Sequence, residues 1–127
     1  MREIRVAILG ASGWMGRVHT MAFQTFPHFF GDSGGTARVV ALGSTTGTHA
    51  DLAFRAPGAK ILDNWQDAVA DPDIDLIDIC LPDNMHYEVA KAALLAGKHV
   101  FCEKPLAETA AEARELANIA REKGLIT

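Results

Sequence analysis

The sequence predicts an α/β fold: a doubly wound parallel sheet with helices on both faces, giving three αβα layers. Two observations carry this prediction. Short apolar runs alternate along the chain with stretches of helical spacing, as they do in parallel sheets whose crossovers are helices. The first run, residues 4–9, is apolar on both faces of the pleat apart from Arg5, which is expected of a central strand between two helical layers.

The first half of the chain is expected to supply three strands. A helix follows the first strand because apolar residues recur near helical spacing from Met15 to Phe26. Pro27 is expected to end this helix, since proline cannot continue the hydrogen-bond ladder. The elements expected in this half are a strand at residues 4–9, a helix at 15–26, the loop HFFGDSGGT, a strand at 39–43, a short helix at 50–56 and a weak strand at 59–62.

The second half continues the alternation, and Gly97 and Gly124 supply the left-handed caps on which helices commonly end. Thr109 and Glu112 form the capping box that begins the last helix. The expected elements are a helical turn at 65–70, a strand at 75–81, a helix at 86–96, a strand at 98–102, a helix from 109 to 124 and the first residues of a sixth strand at 125–127. The expected buried faces are Val89, Ala90, Ala93 and Leu94 on the first long helix of this half, and Ala113, Leu116, Ala117 and Ala120 on the last.

Composition excludes several classes of function. The 127 residues carry 12 Lys and Arg against 16 Asp and Glu, a formal charge of −4, and 49% apolar residues. This indicates one soluble domain over residues 1–127 without the basic field that nucleic-acid binding needs. The longest stretch free of charged residues, Val18 to Gly31, is interrupted by His, Gln and Pro and is shorter than the roughly 20 apolar residues of a membrane span. Glu3 argues against a secretion signal, so we expect a cytoplasmic protein.

No metal site is expected from the sequence. Cys80 and Cys102 belong to no Cys-x-x-Cys motif and have no nearby pair of histidines, so we interpret them as small buried hydrophobes. A calcium loop fails because Leu76 stands where its turn glycine belongs and Pro82 where its bidentate glutamate belongs. A solvated strand start therefore accounts for the four aspartates of this region, Asp71, Asp73, Asp75 and Asp78.

A glycine-rich turn, GASGWMG at residues 10–16, joins the first strand to the first helix. Such a turn aims free backbone N–H groups and the positive helix end at one point, where a pyrophosphate can dock. We expect Gly10 to permit the tight turn, Gly13 the close approach of the backbone and Gly16 the packing of helix on strand. The spacing G-x-x-G-x-x-G is one residue longer than the dinucleotide fingerprint G-x-G-x-x-G.

The end of the second strand predicts cofactor choice. An acidic residue at this place binds the ribose 2′-OH of NAD and repels the 2′-phosphate of NADP. Here the residues are Gly43, Ser44, Thr45 and Thr46, and no acid follows until Asp51. The cofactor is therefore expected to be NAD or NADP, with NADP tolerated or preferred.

Two further motifs follow strands: LPDNMH at residues 81–86 and EKP at 103–105. Because open α/β sheets bind ligands at the carboxyl ends of their strands, both should converge with the glycine turn. GASGWMG, LPDNMH and AGKHVFCEKPLAET resemble the G-x-G-x-x-G, T-P-N-x-x-H and a-G-K-H-V-x-x-E-K-P blocks of the N-terminal NAD(P)-binding domain of the glucose-fructose oxidoreductase, inositol dehydrogenase and rhizopine catabolism (Gfo/Idh/MocA) family. The resemblance covers essentially the whole chain. It implies a Rossmann-type sheet of strand order 3-2-1-4-5 with a truncated sixth strand.

The resemblance implies that Lys104 is the catalytic residue, a lysine that contacts the reacting hydroxyl and the nicotinamide ribose. A fixed ammonium stabilises the alkoxide that develops as a hydride leaves carbon. Glu103 is expected to orient that ammonium and Pro105 to fix the loop, where a cis peptide is accessible. The expected cofactor-binding residues are Gly10, Ser12, Gly13, Trp14, Met15, Gly16, Ser44, Thr45, Leu81, Pro82, His86, Glu103, Lys104 and Pro105.

Two histidines and two departures from the family blocks stay open. His86 is either a ligand near the cofactor or a histidine in the first turn of a helix. His19 also matches a histidine common in the family, and packing or capping is the expected role. Leu81 replaces the usual threonine and Asp83 the usual asparagine, which removes a hydroxyl and adds a negative charge near the cofactor path.

The resulting hypothesis is the cofactor-binding domain of an oxidoreductase that transfers a hydride between a sugar or polyol hydroxyl and nicotinamide. The family's second domain, which supplies the substrate pocket and most oligomer contacts, is absent from these 127 residues. We therefore expect cofactor binding without turnover. The alternative is a non-catalytic module that binds or senses a dinucleotide, or a site for another adenosine cofactor such as S-adenosylmethionine. Lys104 discriminates between them, because a sensor or methyltransferase has no evident need for it.

Overall fold

The computed structural model describes residues 3–31, 35–46 and 48–127, so part of the predicted HFFGDSGGT loop lies outside the described residues. Five parallel strands form one sheet in the order β3-β2-β1-β4-β5, which confirms the predicted topology. The elements are β1 (Ile4–Leu9), α1 (Trp14–Phe30), β2 (Ala37–Gly43), α2 (His49–Arg55), β3 (Lys60–Leu62), α3 (Trp65–Ala70), β4 (Leu76–Ile79), α4 (Asp83–Leu95), β5 (His99–Cys102) and α5 (Ala110–Lys123).

The sheet has a hydrophobic core on each face, as a doubly wound fold requires. On one face Val6 and Ile8 pack with Leu42 of β2 and Leu52 of α2. On the other face Ala7 and Leu9 pack with the inner sides of α3, α4 and α5. Successive residues of β1 thus point into opposite cores, and for this reason the central strand is apolar on both sides. The predicted inner face of α4 is confirmed, with Val89, Ala90, Ala93 and Leu94 all buried.

Three helices begin with a side-chain cap and two do not. Thr48 caps α2, Asn64 caps α3, and Thr109 and Glu112 form the predicted capping box of α5. In α1 and α4 the N-cap positions are Gly13 and Pro82, and neither helix has a side-chain cap. Both uncapped helices begin at the carboxyl ends of strands, where free N–H groups at a helix start are available to an anion.

Helix α1 does not end at Pro27, as the sequence predicted, but continues to Phe30. Proline removes one N–H donor, yet its own carbonyl still closes a turn by accepting from the Gly31 N–H at 3.0 Å. The rings of Phe26 and Phe30, four residues apart, stack at 4.8 Å and add a side-chain contact to that turn. One missing donor near the end of a helix is therefore tolerated.

Several other boundaries and burial predictions are corrected. β2 begins two residues earlier than predicted, and α4 begins at Asp83 rather than His86. The predicted buried face of α5 holds for Leu116 and Ala120, but Ala117 is exposed. No helix in the described part of the chain is long and apolar enough to span a membrane.

The predicted sixth strand at residues 125–127 is not formed. One backbone hydrogen bond does reach β5, because the Val100 N–H donates to the Ile126 carbonyl at 2.9 Å. The Ile126 N–H instead donates to the His99 side chain at 3.1 Å. A single backbone bond is too little pairing for a strand, so these residues only follow the outer edge of β5.

Candidate functional site

Four segments meet at the carboxyl edge of the sheet. The glycine turn follows β1, residues 44–46 follow β2, residues 81–86 follow β4 and residues 103–105 follow β5. Backbone hydrogen bonds fasten the segments to neighbouring strands: the Gly10 N–H donates to the Gly43 carbonyl at 2.9 Å, and the Glu103 N–H donates to the Ile79 carbonyl at 3.0 Å. The structure thus brings the expected cofactor-binding segments to one edge.

The glycine turn leaves no room for side chains at two positions. Gly10 has a φ of +80°, and a Cβ added there would overlap the Cys80 carbonyl oxygen at the end of β4. Gly16 lies in the first turn of α1, and a Cβ there would overlap the Gly10 carbonyl oxygen. The start of α1 therefore packs directly on the glycine turn. The tight turn at Gly10 and the helix-on-strand packing at Gly16 agree with the prediction, whereas Gly13 is less crowded.

The start of α1 fits an anionic group. Gly13 is the N-cap residue of α1. Among the described residues no side chain caps this helix, and its first turn contains no acidic residue. Backbone N–H groups and the positive end of the helix macrodipole therefore remain for a ligand. Trp14 begins the helix with 79% of its surface exposed. Met15 is also exposed beside it.

Three hydroxyl groups cluster where the glycine turn meets the end of β2. The Ser12 hydroxyl contacts the Ser44 hydroxyl and lies 2.8 Å from the Thr46 hydroxyl. Arg17 approaches the same turn, since its Nε donates to the Ser12 carbonyl at 2.9 Å. Thr45 is exposed next to this cluster. Residues 43–46 at the end of β2 thus present hydroxyls and a nearby guanidinium, and the neighbouring carboxylate is that of Asp63 after β3.

A cavity of about 130 Å³ opens beside this cluster. Its lining includes the expected residues Gly10, Ser44, Thr45 and Leu81. It also includes residues that the sequence reasoning missed, which are Asp63, Asn64, Trp65 and Met85. The rule that ligands bind at the carboxyl ends of strands would have found the first three, because they directly follow β3.

His86 lies inside the protein, with 1% of its surface exposed. Its Nδ1 is 2.7 Å from the Pro105 carbonyl oxygen, and its Nε2 is 2.8 Å from the Leu81 carbonyl oxygen. Both ring nitrogens therefore face the protein backbone. Of the two alternatives for His86, this geometry favours a helix histidine that ties loops together over a direct cofactor ligand.

His19 lies between two carboxylates. Its Nδ1 is 2.8 Å from an Asp78 carboxylate oxygen, and its Nε2 is 3.1 Å from a Glu103 carboxylate oxygen. The ring also stacks on Phe101 at 5.5 Å. Sequence reasoning expected only packing or capping for His19 and missed this row of three polar side chains.

Asp78 corrects the interpretation of the four aspartates as a solvated strand start. It is fully buried within β4, and burial raises the pKa of its carboxyl, although His19 opposes the shift. A carboxyl in this position needs a polar partner, because burying an unpaired charge is costly. The His19 ring supplies that partner from α1.

The Glu103-Lys104-Pro105 segment leaves the sheet directly after β5. Its Lys104–Pro105 peptide is cis, the form that the sequence left accessible at this proline. Lys104 is exposed, and among the residues that the structure describes none forms an ion pair with its ammonium. The unpaired Lys104 ammonium thus belongs to a residue whose two neighbours are bonded to the rest of the protein, Glu103 through its carboxylate and Pro105 through its carbonyl.

One group of metal-type donors is present among the described residues: His19, Asp78 and Cys80, with ligand atoms within 4.8 Å of one another. Their spacing is that of hydrogen bonds, since Cys80 Sγ is 3.4 Å from His19 Nδ1. Burial raises the pKa of the Cys80 thiol and raises that of Cys102 to about 12. Both thiols are free and only partly buried, and neither is a thiolate at neutral pH.

A doubly wound sheet with a glycine turn, an uncapped helix start and a cavity at its carboxyl edge defines a dinucleotide-binding domain. Comparison with known families agrees. Residues 4–127 match the oxidoreductase family with an NAD-binding Rossmann fold, GFO_IDH_MocA. The chain therefore belongs to the Gfo/Idh/MocA family of NAD(P)-dependent oxidoreductases.

Individual relatives are similar over nearly the whole chain. Levoglucosan dehydrogenase of Pseudarthrobacter phenanthrenivorans is 33% identical over 127 residues, which cover 99% of this chain and 32% of that protein. D-glucoside 3-dehydrogenase of Escherichia coli is 32% identical over 97% of this chain and 33% of its own length. A structure of levoglucosan dehydrogenase in complex with NADH superposes with a TM-score of 0.88 at 31% identity, covering 98% of this chain and 33% of that one. The chain thus spans about a third of the length of these relatives.

Proposed function

We propose that this chain is the cofactor-binding domain of a dehydrogenase that transfers a hydride between a hydroxyl group of a sugar or polyol and nicotinamide. The observation that carries the proposal is the meeting of the glycine turn with the Lys104 segment at one edge of the sheet. The substrate class follows from two of the relatives, a levoglucosan dehydrogenase and a D-glucoside 3-dehydrogenase.

The residues at the edge fit a dinucleotide. The pyrophosphate would lie at the glycine turn, where Gly10 and Gly16 leave only backbone and the start of α1 is uncapped. The hydroxyls of Ser12 and Ser44 and the neighbouring cavity would hold the adenosine half. Leu81, Pro82 and the 103–105 segment would then face the nicotinamide half.

Lys104 would be the catalytic residue of this domain. The bound cofactor supplies a hydride acceptor at nicotinamide. As the hydride leaves the substrate carbon, the hydroxyl loses its proton and an alkoxide develops. The exposed Lys104 ammonium would stabilise that oxygen by a charge-assisted hydrogen bond.

We further propose that the domain accepts NADP at least as well as NAD. The hydroxyl cluster at the end of β2 contains no carboxylate, the Asp63 carboxylate that lines the neighbouring cavity is paired with His49, and Arg17 is bound to the same turn. Hydroxyl and guanidinium donors suit a phosphate. NAD binding about tenfold tighter than NADP would contradict this preference.

These 127 residues on their own would bind the cofactor without turnover, because their relatives are about three times as long. The further residues of such an enzyme would supply the substrate pocket and the oligomer contacts.

We also propose that the protein is cytoplasmic, where the free thiols of Cys80 and Cys102 are kept reduced.

The chain's two tryptophans allow a direct test of cofactor binding. Trp14 reports on the glycine turn, and Trp65 lines the cavity. The variants Trp65→Phe and Trp14→Phe each leave one reporter. Titration with NADH and with NADPH should quench Trp14 emission saturably, and Trp65, which lines the cavity proposed for the adenosine half, should respond over the same concentrations.

Unchanged Trp14 emission with millimolar NADH and NADPH would overturn the proposed function. The same titration with S-adenosylmethionine distinguishes the alternative adenosine cofactor. Quenching by that compound, with none by either dinucleotide, would favour the non-dehydrogenase alternative.

A further inference from the structure

The 103–105 segment is held at both of its ends by side chains from other helices. Beyond the single backbone bond from the Glu103 N–H to Ile79, the segment has left the sheet. Lys104 and Pro105 are both exposed. Contacts from outside β5 must therefore decide where the Lys104 side chain begins.

The first contact comes from α4 and is buried. His86 Nδ1 is 2.7 Å from the carbonyl oxygen of Pro105, the residue directly after Lys104. The other ring nitrogen is 2.8 Å from the Leu81 carbonyl, so the ring spans the loop after β4 and the loop after β5. A ring with 1% exposure has little freedom to move. His86 thus joins two loops of the edge at a fixed separation.

The second contact comes from α1 and holds the residue directly before Lys104. His19 Nε2 is 3.1 Å from Glu103 Oε1, and its Nδ1 is held by the buried Asp78 carboxyl at 2.8 Å. Stacking on Phe101 sets the plane of the ring. Glu103 is therefore bound to a ring that Asp78 and Phe101 already hold in place.

The chemistry of this row excludes a simple packing role. Asp78 and Glu103 are carboxyl groups, so each contact with His19 needs one proton between a nitrogen and an oxygen. The row of three groups then holds two protons. An apolar side chain of similar size fills the same space but satisfies neither carboxyl group, and a buried carboxyl without a partner is costly.

We propose that His19 and His86 are positioning residues that hold the 103–105 segment from its two sides and thereby set the place of Lys104. This inference rests on the proposed catalytic role of Lys104. The two histidines come from different helices and use different partners, a side chain in one case and a backbone carbonyl in the other. Each is therefore testable without the other.

The test compares His19→Gln and His86→Gln with His49→Gln. His49 is a matched control because its Nε2 also contacts a carboxylate, that of Asp63 at 2.8 Å, on an exposed surface. The lysines are dimethylated with a ¹³C label and observed by NMR. The resonance of Lys104 is identified as the one that is missing in Lys104→Arg. Within residues 103–107 the protected amide is that of Glu103, which donates to the Ile79 carbonyl, and its hydrogen exchange is measured beside that of residues 6–9.

Both test variants should shift the Lys104 signal and accelerate exchange of the Glu103 amide by about tenfold. Exchange at residues 6–9 in the central strand should stay unchanged, and His49→Gln should alter neither reading. Where His19→Gln fails to fold, His19→Gln combined with Asp78→Asn removes the buried carboxyl left without its partner, and the same local changes are expected.

An unmoved Lys104 signal in folded variants would overturn the proposal. Equal acceleration at residues 6–9 and at Glu103 would also overturn it, because that pattern marks a loss of global stability. These readings need no cofactor. Failure of NADH to quench Trp14 in the unaltered chain would therefore refute the proposed function, while the local readings would still decide the role of the histidines.

Discussion

The two edges of the sheet treat charge in opposite ways. At the amino edge, the cations Arg5 and Lys60 are matched by aspartates within the fold. Arg5 lies 2.9 Å from Asp75 and 3.0 Å from Asp73, and Lys60 lies 2.6 Å from Asp71. The charges of these two cations are thus compensated within the fold.

At the carboxyl edge, Asp78, His19 and Glu103 are paired, but one cation and two helix starts are left open in the described part of the chain. The starts of α1 and α4 have no side-chain cap, and Lys104 has no ion-pair partner among the residues described. Hydroxyls of Ser12 and Ser44 lie beside an open cavity. The difference teaches that removing a paired cation at the amino edge should lower stability, whereas removing the unpaired Lys104 at the carboxyl edge should lower turnover.

The largest effect is expected at Lys104. In a dehydrogenase of the relatives' length that contains this domain, Lys104→Ala should lower turnover about a thousandfold, because the developing alkoxide loses its cation. NADH affinity of the present chain should change by less than about twofold, since the glycine turn is untouched. Steady-state kinetics and the Trp14 titration measure the two effects. Lys123→Ala, an exposed lysine of α5, is the control, and turnover retained in Lys104→Ala would contradict the assignment.

The next effect sets the crowded glycine against an open one. Gly10 and Gly97 have nearly equal φ angles, +80° and +82°, but only at Gly10 does an added Cβ meet other atoms. Gly97→Ala should cost about 1–2 kcal/mol of unfolding free energy through its backbone conformation. Gly10→Ala should cost about 1–3 kcal/mol more through overlap with the Cys80 carbonyl. Urea unfolding measures both, and equal losses would show that the overlap relaxes freely.

A smaller effect is expected at Lys98 on the amino edge. Its ammonium donates to the carbonyls of Asp71 and Ile74 at 2.6 and 2.7 Å, although burial lowers the pKa of the amine and offsets part of the gain. Lys98→Met should lower the unfolding free energy by about 1–3 kcal/mol and leave NADH affinity unchanged. The exposed Lys60→Met is the control and should lose less. Weakened NADH binding in Lys98→Met would break the separation of the two edges.

The smallest effect is a contrast in pH dependence between two aspartates. Lys60 lowers the pKa of Asp71 below its ordinary 3.8, so its stabilising contribution is present above that value and lost as the pH falls through the folded-state pKa. Burial raises the pKa of Asp78, so its destabilising contribution is absent at low pH and grows as the pH rises through the raised value. Asp71→Asn should flatten the acid loss of stability, and Asp78→Asn should steepen it. Urea midpoints between about pH 3 and 7 measure how steeply stability depends on pH in each variant. If both substitutions changed this slope in the same direction, the contrast would be contradicted.

Sequence reasoning predicted the sheet because β1 is apolar on both faces and the helices end at recognisable glycines. Its errors have local causes. The Pro27 boundary failed because one missing donor is tolerated in a last turn that still closes through the Pro27 carbonyl. The prediction of a sixth strand was wrong because one backbone hydrogen bond joins residues 125–127 to β5. The number of such bonds cannot be derived from a short apolar run in the sequence.

The convergence of segments at one edge of the sheet was predictable where a motif directly follows a strand, as at the glycine turn and Lys104. It was missed where distant residues meet. Asp78 has the sequence surroundings of a strand residue near other aspartates, and only the fold shows that α1 brings His19 against it. A pairing between residues 59 positions apart leaves no local pattern.

The bond between His19 and Glu103 joins residues 84 positions apart. Closing so long a loop costs chain entropy before the contact returns any energy, so contacts of this kind form late in folding. During synthesis, the glycine turn is made and its strand is available long before Lys104 exists. The domain should therefore acquire the glycine turn proposed for the pyrophosphate before the lysine proposed for catalysis, and a chain interrupted between them would contain only the first of these two parts.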